Sequence, residues 1–311
     1  MPAKPVVLIC YDLLLPMRGA LEAQGYEVLL GWEMSPEQAK TVQAIAHAGE
    51  FHLSHEFLTS LPNLKLIANV SVGYDGVDVA WCRANGIEVT HSDGLNADDV
   101  ADQAFGLLIG GWRNIVAGDR TVRSGLWNNA DRLSPGPGLK GRKLGVMGLG
   151  HIGQAVAVRA EAFGMTVAWW GPNPKPEARW PRAASLLALA QESDILVIAS
   201  RADASNHKAV SAEVIEAVGP QGMIINVARG SILDEDALIA ALKSGKLARA
   251  GLDVFAQEPT PPERWADAPN AVLTPHTAGG TTESLPLMFA QTFENLRRHF
   301  AGEPLASPVA A

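Results

Sequence analysis

The chain has 311 residues, 47% of them hydrophobic, which suits about two domains of ordinary size. Its formal net charge is −8 and no basic cluster runs along it, so nucleic acid and anionic membranes are not expected partners. Cys10 and Cys82 form no C-x-x-C motif and read as reduced thiols of a cytoplasmic protein. The apolar stretch near the N-terminus is broken by Asp12; it is too short for a secretory signal, and no run reaches the ~18 residues of a membrane span.

Residues 1–98 alternate short apolar runs with helical stretches. The pattern predicts strands at 6–10, 26–30, 64–69 and 87–90. It predicts helices at 17–24, 40–47 and 79–85, with a helical turn at 57–61 stopped by Pro62. Strands alternating with helices point to a parallel sheet covered on both faces. The string NADDVAD (96–102) reads as a helix entry, with Asn96 as N-cap and acidic residues in the first turn. That helix is expected to run to about residue 125. A loop rich in Gly, Pro and Asn follows over 126–143.

A second alternating run spans 143–279. Strands are expected at 144–147, 166–170, 195–199, 223–227, 250–254 and 271–274, and helices at 151–163, 185–191, 211–218 and 235–243. A last helix, 283–300, should return to pack on the first domain. No solenoid repeat or low-complexity tract is present.

The string LGVMGLGHIGQAVAV (144–158) organises this second run. Gly148, Gly150 and Gly153 stand in G-x-G-x-x-G spacing between an apolar strand and a helical stretch, the context that gives this spacing meaning. Gly148 allows a tight turn, Gly150 lets backbone approach a pyrophosphate, and Gly153 lets the helix pack on the strand. The helix N-terminus then offers N–H groups to phosphate, with His151 and Ile152 in the same turn. Six strands with crossover helices match a doubly wound dinucleotide domain. The fold expected is α/β, with a Rossmann-type cofactor domain (99–279) inserted in a flavodoxin-like substrate domain (1–98 plus 280–311), each built on a doubly wound parallel sheet.

Five strings in order carry a wider likeness: SVGYDGVD (71–78), GLGHIG (148–153), NVARGSILDEDAL (226–238), AGLDVFAQEP (250–259) and TPHTAGGT (274–281). Together they resemble the D-2-hydroxyacid dehydrogenase family over essentially the whole chain. LNADDVAD (95–102) and FAGEPLASPV (300–309) make it most similar to the NADP-dependent glyoxylate/hydroxypyruvate reductases and their hydroxyphenylpyruvate-reducing relatives. The resemblance implies reduction of a 2-keto acid to a D-2-hydroxy acid by a nicotinamide cofactor. It also implies a homodimer with the active site in a cleft between domains.

Such a reduction needs a proton donor that titrates near neutral pH, which favours histidine. His276 follows the strand at 271–274, at a carboxyl end where open α/β sheets bind ligands. His47, His52 and His55 lie near one another, but no further ligand completes a metal site, and they read as loop or solvated residues. No metal is expected. The resemblance assigns Glu258, 18 residues before His276, as the carboxylate that favours its protonated form. It assigns Arg229 as the arginine that binds the substrate carboxylate and polarises the ketone, and Gly230 is expected to leave room around it. It assigns the backbone N–H groups of Val72 and Gly73 to the substrate carboxylate, and Asp253 to the nicotinamide amide. Gly279 completes the cofactor set. Phe51, His52 and Leu53 are candidates for the substrate's side chain.

The end of the second strand selects the cofactor. NAD-specific proteins place an acidic residue there for the ribose hydroxyls. No Asp or Glu occurs from Trp169 to Pro176, which removes the repulsion of a 2′-phosphate. Asn173, Lys175 and Arg201 are the expected phosphate donors, and NADPH the expected cofactor, with NAD possible. Pro172 departs from the arginine that NADP-using members of the family carry. Two other readings stay open: an NAD-dependent biosynthetic dehydrogenase, and a dinucleotide-sensing protein on the same fold.

Overall fold

The computed structural model describes residues 4–127 and 135–310. The loop expected over 126–143 therefore falls partly outside the described residues. The chain divides into two compact units, Met1–Leu95 with Thr282–Ala311, and Asn96–Thr281.

The first unit alternates β1 (Val6–Ile9), α1 (Arg18–Ala23), β2 (Glu27–Leu30), α2 (Pro36–Ala39), β3 (Ala44–His47), α3 (His55–Thr59), β4 (Leu66–Asn69), α4 (Val79–Ala84) and β5 (Glu88–Thr90). The strands form one parallel sheet in the order β2-β1-β3-β4-β5, the flavodoxin-like arrangement. VVLI, AIAH and LIAN are buried along their whole length, as strands covered on both faces must be. Alternate residues feed opposite cores: Leu8, Ile45 and Ile67 one side, Val7, Ala44 and Leu66 the other.

One expectation fails here. Residues 40–47 are not a helix: α2 ends at Ala39 and Ala44–His47 is the central strand β3. Ala is the strongest helix former, but a four-residue apolar run has no period that separates helix from strand. Parallel pairing to both β1 and β4 decides it.

The second unit begins with α5 (Ala97–Trp112) and α6 (Ile115–Arg123). The single helix expected to about residue 125 is thus broken at Asn114, which adopts a left-handed φ of 57°, a conformation that asparagine tolerates better than most residues. Asn96 does not cap α5 with its side chain; its Nδ2 donates to the Gly279 carbonyl at 3.4 Å. There follow β6 (Lys143–Met147), α7 (His151–Ala162), β7 (Thr166–Trp170), α8 (Leu186–Gln191), β8 (Ile195–Ile198), α9 (Ala212–Val218), β9 (Met223–Asn226), α10 (Glu235–Ser244), β10 (Arg249–Leu252), α11 (Pro262–Trp265) and β11 (Ala271–Leu273).

This sheet is parallel, in the order β11-β10-β9-β8-β6-β7. A lone parallel bridge joins Trp169 to Arg182. Counting Arg182 as a strand reduced to one residue, the order becomes 3-2-1-4-5-6 with β11 added, the Rossmann arrangement. The order reverses between β6 and β8, so the ligand crevice of such a sheet lies at their carboxyl ends. Helices α5 and α7 cover one face, and α8, α9 and α10 the other. The last helix, α12 (Ser284–Ala301), belongs to the first unit, where Met288 and Leu296 join its core.

Candidate active site

The three fingerprint glycines each meet a different steric demand. Gly148 has φ +93°, and a Cβ there would stand 2.5 Å from the Cα of Ser200, at the end of β8. A Cβ on Gly153 would stand 2.0 Å from the Gly148 carbonyl oxygen, so α7 can seat on β6 only with glycine. Gly150 is the opposite case, since a Cβ there would meet nothing within 4 Å. Gly150 is also the N-cap of α7 and carries no side chain over its first turn. Open N–H groups at a helix start, beside the switch point, fit a pyrophosphate. His151 is exposed as the first residue of α7, and Ile152 packs partly against the core.

Three loops at carboxyl ends of the same sheet bring His276, Glu258 and Arg229 into one electrostatic group. The Nδ1 of His276 lies 2.6 Å from Glu258 Oε2. Both side chains are about one-third exposed, at 30% and 34%. With Nδ1–H donating to the carboxylate, a transferable proton on this ring would be carried by Nε2. Glu258 Oε1 accepts from the Phe255 N–H at 2.8 Å. Burial opposes ionisation of Glu258, but His276, the Phe255 N–H and the charge of Arg229 outweigh it and hold the carboxyl below its ordinary range.

His276 has φ 52°, an uncommon conformation for a residue with a Cβ. Asp253 over-determines it. The fully buried Asp253 carboxylate accepts from Thr274 Oγ1 (2.5 Å), the Thr277 N–H (3.1 Å) and the Ala278 N–H (2.9 Å). Its backbone carbonyl accepts the His276 N–H at 2.7 Å. In this structure Asp253 therefore holds the turn that presents the histidine.

Arg229 is half-buried just beyond β9, its Nη1 donating to the Ala228 carbonyl at 2.8 Å. Asn226, fully buried at the end of β9, shapes that loop. Its Nδ2 donates to the Arg229 carbonyl (3.0 Å) and its Oδ1 accepts the Ala228 N–H (3.1 Å). Gly230 does not leave room around Arg229. A Cβ there would stand 1.9 Å from the backbone carbon of Phe255, so glycine lets the Arg229 loop lie against the Glu258 loop.

In the first unit, Val72 and Gly73 are half-exposed on the turn after β4. The Ser71 hydroxyl braces this turn, donating to the Gly73 carbonyl and accepting the Gly49 N–H, both at 2.8 Å. The Gly76 N–H donates to the Gly49 carbonyl at 2.8 Å. Of the side-chain candidates, Phe51 stacks on Tyr11 at 4.3 Å between centroids and stays exposed, as does His52. Leu53 is 3% exposed and belongs to the core. His47 is fully buried in β3 rather than lying in a loop, and His55 is exposed, stacking on Trp81 and pairing with Asp78.

Beyond β7, Asn173 is exposed and Lys175 half-buried, and Arg201, beyond β8, is exposed. Asp203 is held low by the Ser205 hydroxyl and N–H, with the Arg201 charge adding to this. Sequence reasoning missed Arg182. Its Nη2 donates to the carbonyls of Gly171 (2.7 Å) and Pro172 (3.2 Å), and its guanidinium lies over the Trp169 ring at 5.7 Å. The Pro181–Arg182 dipeptide gave no strand signal because its strand is one residue long.

Residues 105–278 match the NAD-binding domain of the D-isomer-specific 2-hydroxyacid dehydrogenases. The chain belongs to that family. It is 39% identical over 273 residues to a hydroxyphenylpyruvate reductase of Plectranthus scutellarioides, covering 88% of this chain and 87% of that one. It is 35% identical over 314 residues to a glyoxylate/hydroxypyruvate reductase of Arabidopsis thaliana, covering 98% of both. Among solved structures, an NADPH-dependent glyoxylate/hydroxypyruvate reductase of Sinorhizobium meliloti, in complex with NADP and malonate, superposes with a TM-score of 0.92 at 34% identity. That match covers 99% of this chain and 97% of the other. As a 2-hydroxyacid dehydrogenase the chain is an oxidoreductase with a Rossmann domain for a nicotinamide dinucleotide, and the glycine turn fits that group. Among the described residues no helix is long and apolar enough to cross a membrane.

Proposed function

We propose that this dehydrogenase reduces a small 2-keto acid, glyoxylate, hydroxypyruvate or a near analogue, to the D-2-hydroxy acid with NADPH. The observation that carries this reading is the 2.6 Å pair of His276 and Glu258, with the charge of Arg229 acting on the same carboxylate. The named activities of the relatives support the substrate class. When bound, the reduced nicotinamide supplies a hydride. His276 delivers a proton from Nε2 to the ketone oxygen, and Glu258 fixes the ring and favours its charged form. Arg229 binds the carboxylate bidentately and polarises the ketone. The backbone N–H groups of Val72 and Gly73 add donors for the carboxylate.

Residues 99–279 form the cofactor domain in this reading, and 1–98 with 280–311 the substrate domain. Gly148, Gly150, His151, Ile152 and Gly153 receive the pyrophosphate, while Gly279 serves the nicotinamide end and the buried Asp253 acts there through the turn it holds. Asn173, Lys175 and Arg201 select the 2′-phosphate, and Arg182 joins them as a fixed cation beside Gly171. Cytoplasmic location is supported by the two cysteines, Cys10 and Cys82, which form no disulfide. A homodimer is supported by α6, which buries none of its residues and leaves Ile115 and Val122 exposed, with Leu126 and Trp127 following.

Initial rates with glyoxylate, hydroxypyruvate, pyruvate and phenylpyruvate, each with NADPH and NADH, test the proposal. NADPH-dependent turnover of the small acids is expected. Turnover with NADH alone would remove the phosphate assignment and leave the NAD-dependent reading. Dinucleotide binding without turnover would favour a sensor.

A further inference from the structure

We propose that Glu235 is a positioning residue for the reduction, locking the loop that carries Glu258 to the segment that carries Arg229. The proposal rests on the roles assigned to those two residues above. Glu235 is the first residue of α10 and is 3% exposed, an unusual place for an acid unless it is paired. The helix does not require it there. Asp234 already caps α10, accepting the Ala237 N–H at 3.2 Å, and Asp236 lies out in solvent with 76% of its side chain exposed.

Glu235 instead reaches across to the loop after β10. Its Oε1 accepts the Ala256 N–H at 2.6 Å, and its Oε2 accepts from Arg264 Nε at 2.8 Å. Ala256 follows Phe255, whose N–H is held by Glu258. Gly230, next to Arg229, presses its backbone on the same Phe255–Ala256 peptide. Residues 255–256 are thus gripped by Gly230, Glu235 and Glu258 together. A charged acceptor makes a short, strong bond to a backbone N–H, and Glu235 is tied to Arg229 through only five intervening residues of chain. Arg264 is the counter-ion, bridging Glu235 and Asp236 (2.9 Å) from α11. The arrangement fixes the distance between the carboxylate that orients His276 and the arginine that holds the substrate.

The test compares wild type with Glu235→Ala, Glu235→Gln and Arg264→Met in the full-length protein. Steady-state reduction of glyoxylate by NADPH is followed from pH 6 to 9, with NADPH affinity and melting temperature in parallel. Small misplacements of catalytic groups cost rates of ten- to a hundredfold, so Glu235→Ala is expected to lower kcat/KM about tenfold. A loosened Glu258 favours the imidazolium less, so the basic limb of the kcat/KM profile should move to lower pH by about half a unit. NADPH affinity should stay within about twofold. Glu235→Gln keeps an acceptor for Ala256 and should recover at least half of the lost rate. If Glu235→Ala does not fold, Arg264→Met, which removes the counter-ion and leaves the carboxylate held by the Ala256 N–H alone, should show the same limb shift at smaller size. A lowered melting temperature with wild-type kcat/KM and an unmoved limb would overturn the proposal. If wild type turns over none of the acids, the functional reading fails first. The shift is then read from the imidazole resonance of His276, which needs no substrate; its absence in Glu235→Ala and Arg264→Met would overturn the positioning role separately.

Discussion

The two sheets each end a parallel strand near a histidine, and the two histidines have opposite characters. His47 closes β3 in the first unit; His276 follows β11 in the second. His47 is fully buried, its Nε2 bonded to the Phe51 carbonyl at 3.0 Å and its Nδ1 without a partner. Burial drives it down to about 4, against the lesser pull of the Phe51 carbonyl, so it is neutral at physiological pH. His276 is partly exposed and its Nδ1 is bonded to a carboxylate. A strand-end position in an α/β sheet therefore does not make a general acid. The role proposed for His276 rests on its carboxylate partner.

The largest test of this contrast is His276→Gln. The amide cannot deliver a proton, and general acid catalysis is worth 10²–10⁴-fold, so kcat/KM for keto-acid reduction should fall by about a thousandfold. NADPH affinity, read by fluorescence titration, should change little. Loss of both together would mean that the residue supports the cofactor domain rather than the chemistry.

His47→Gln probes the other half. The unfolded chain protonates this histidine near its ordinary 6.5, but the folded chain resists until about 4. Between those values the unfolded state binds more protons, so stability falls as pH drops from 6.5 to 4 and levels off below. The full interval corresponds to about 3 kcal/mol. Glutamine can donate to Phe51 but cannot ionise, so the variant should lose that slope in denaturant titrations. An unchanged slope would show that the acid sensitivity lies elsewhere. Glu258 overlaps only the acid end of this window, so the slope is read between pH 5 and 7. Its lowered carboxyl contributes stability that is lost only as pH falls through the carboxylate range.

The contrast also marks what the sequence could carry. The glycine turn was legible because each glycine answers a separate steric demand at a fixed spacing, and His276 because a strand and a proline place it. His47 was misplaced because AIAH is a strand only by virtue of neighbours 22 residues on in β4 and at the start of the chain in β1. Asn226 and Glu235 were missed for a related reason. Each acts through backbone groups of another loop, and an acid after Asp234 at a helix start looks like an ordinary first-turn carboxylate. Leu53 shows the reverse error, an apolar residue in a loop string that turns out to serve the core.

Glu258→Gln sharpens the comparison by making His276 more like His47. The amide retains an acceptor for the Phe255 N–H but cannot stabilise an imidazolium, and its NH2 group can invert the tautomer. The basic limb of kcat/KM should move to lower pH by about one unit, with a rate loss near tenfold at neutral pH. An unmoved limb would separate the carboxylate from the proton donor despite their contact.

The smallest effect concerns the cofactor. Arg201 is exposed and shares its charge with Asp203, whereas Arg182 is fixed on two carbonyls at the end of β7. A cation whose charge already acts on a nearby carboxylate has less to offer a phosphate, and a pre-positioned one loses less side-chain freedom on binding. Arg182→Ala should therefore weaken NADPH binding about tenfold and NADH binding less than twofold, and Arg201→Ala should weaken NADPH binding only about threefold. Calorimetric titration of both variants with both dinucleotides measures this directly. Equal losses for NADPH and NADH in Arg182→Ala would make that arginine a brace for the Gly171 turn. A larger selective loss in Arg201→Ala would return the phosphate contact to the strand-end position at 201.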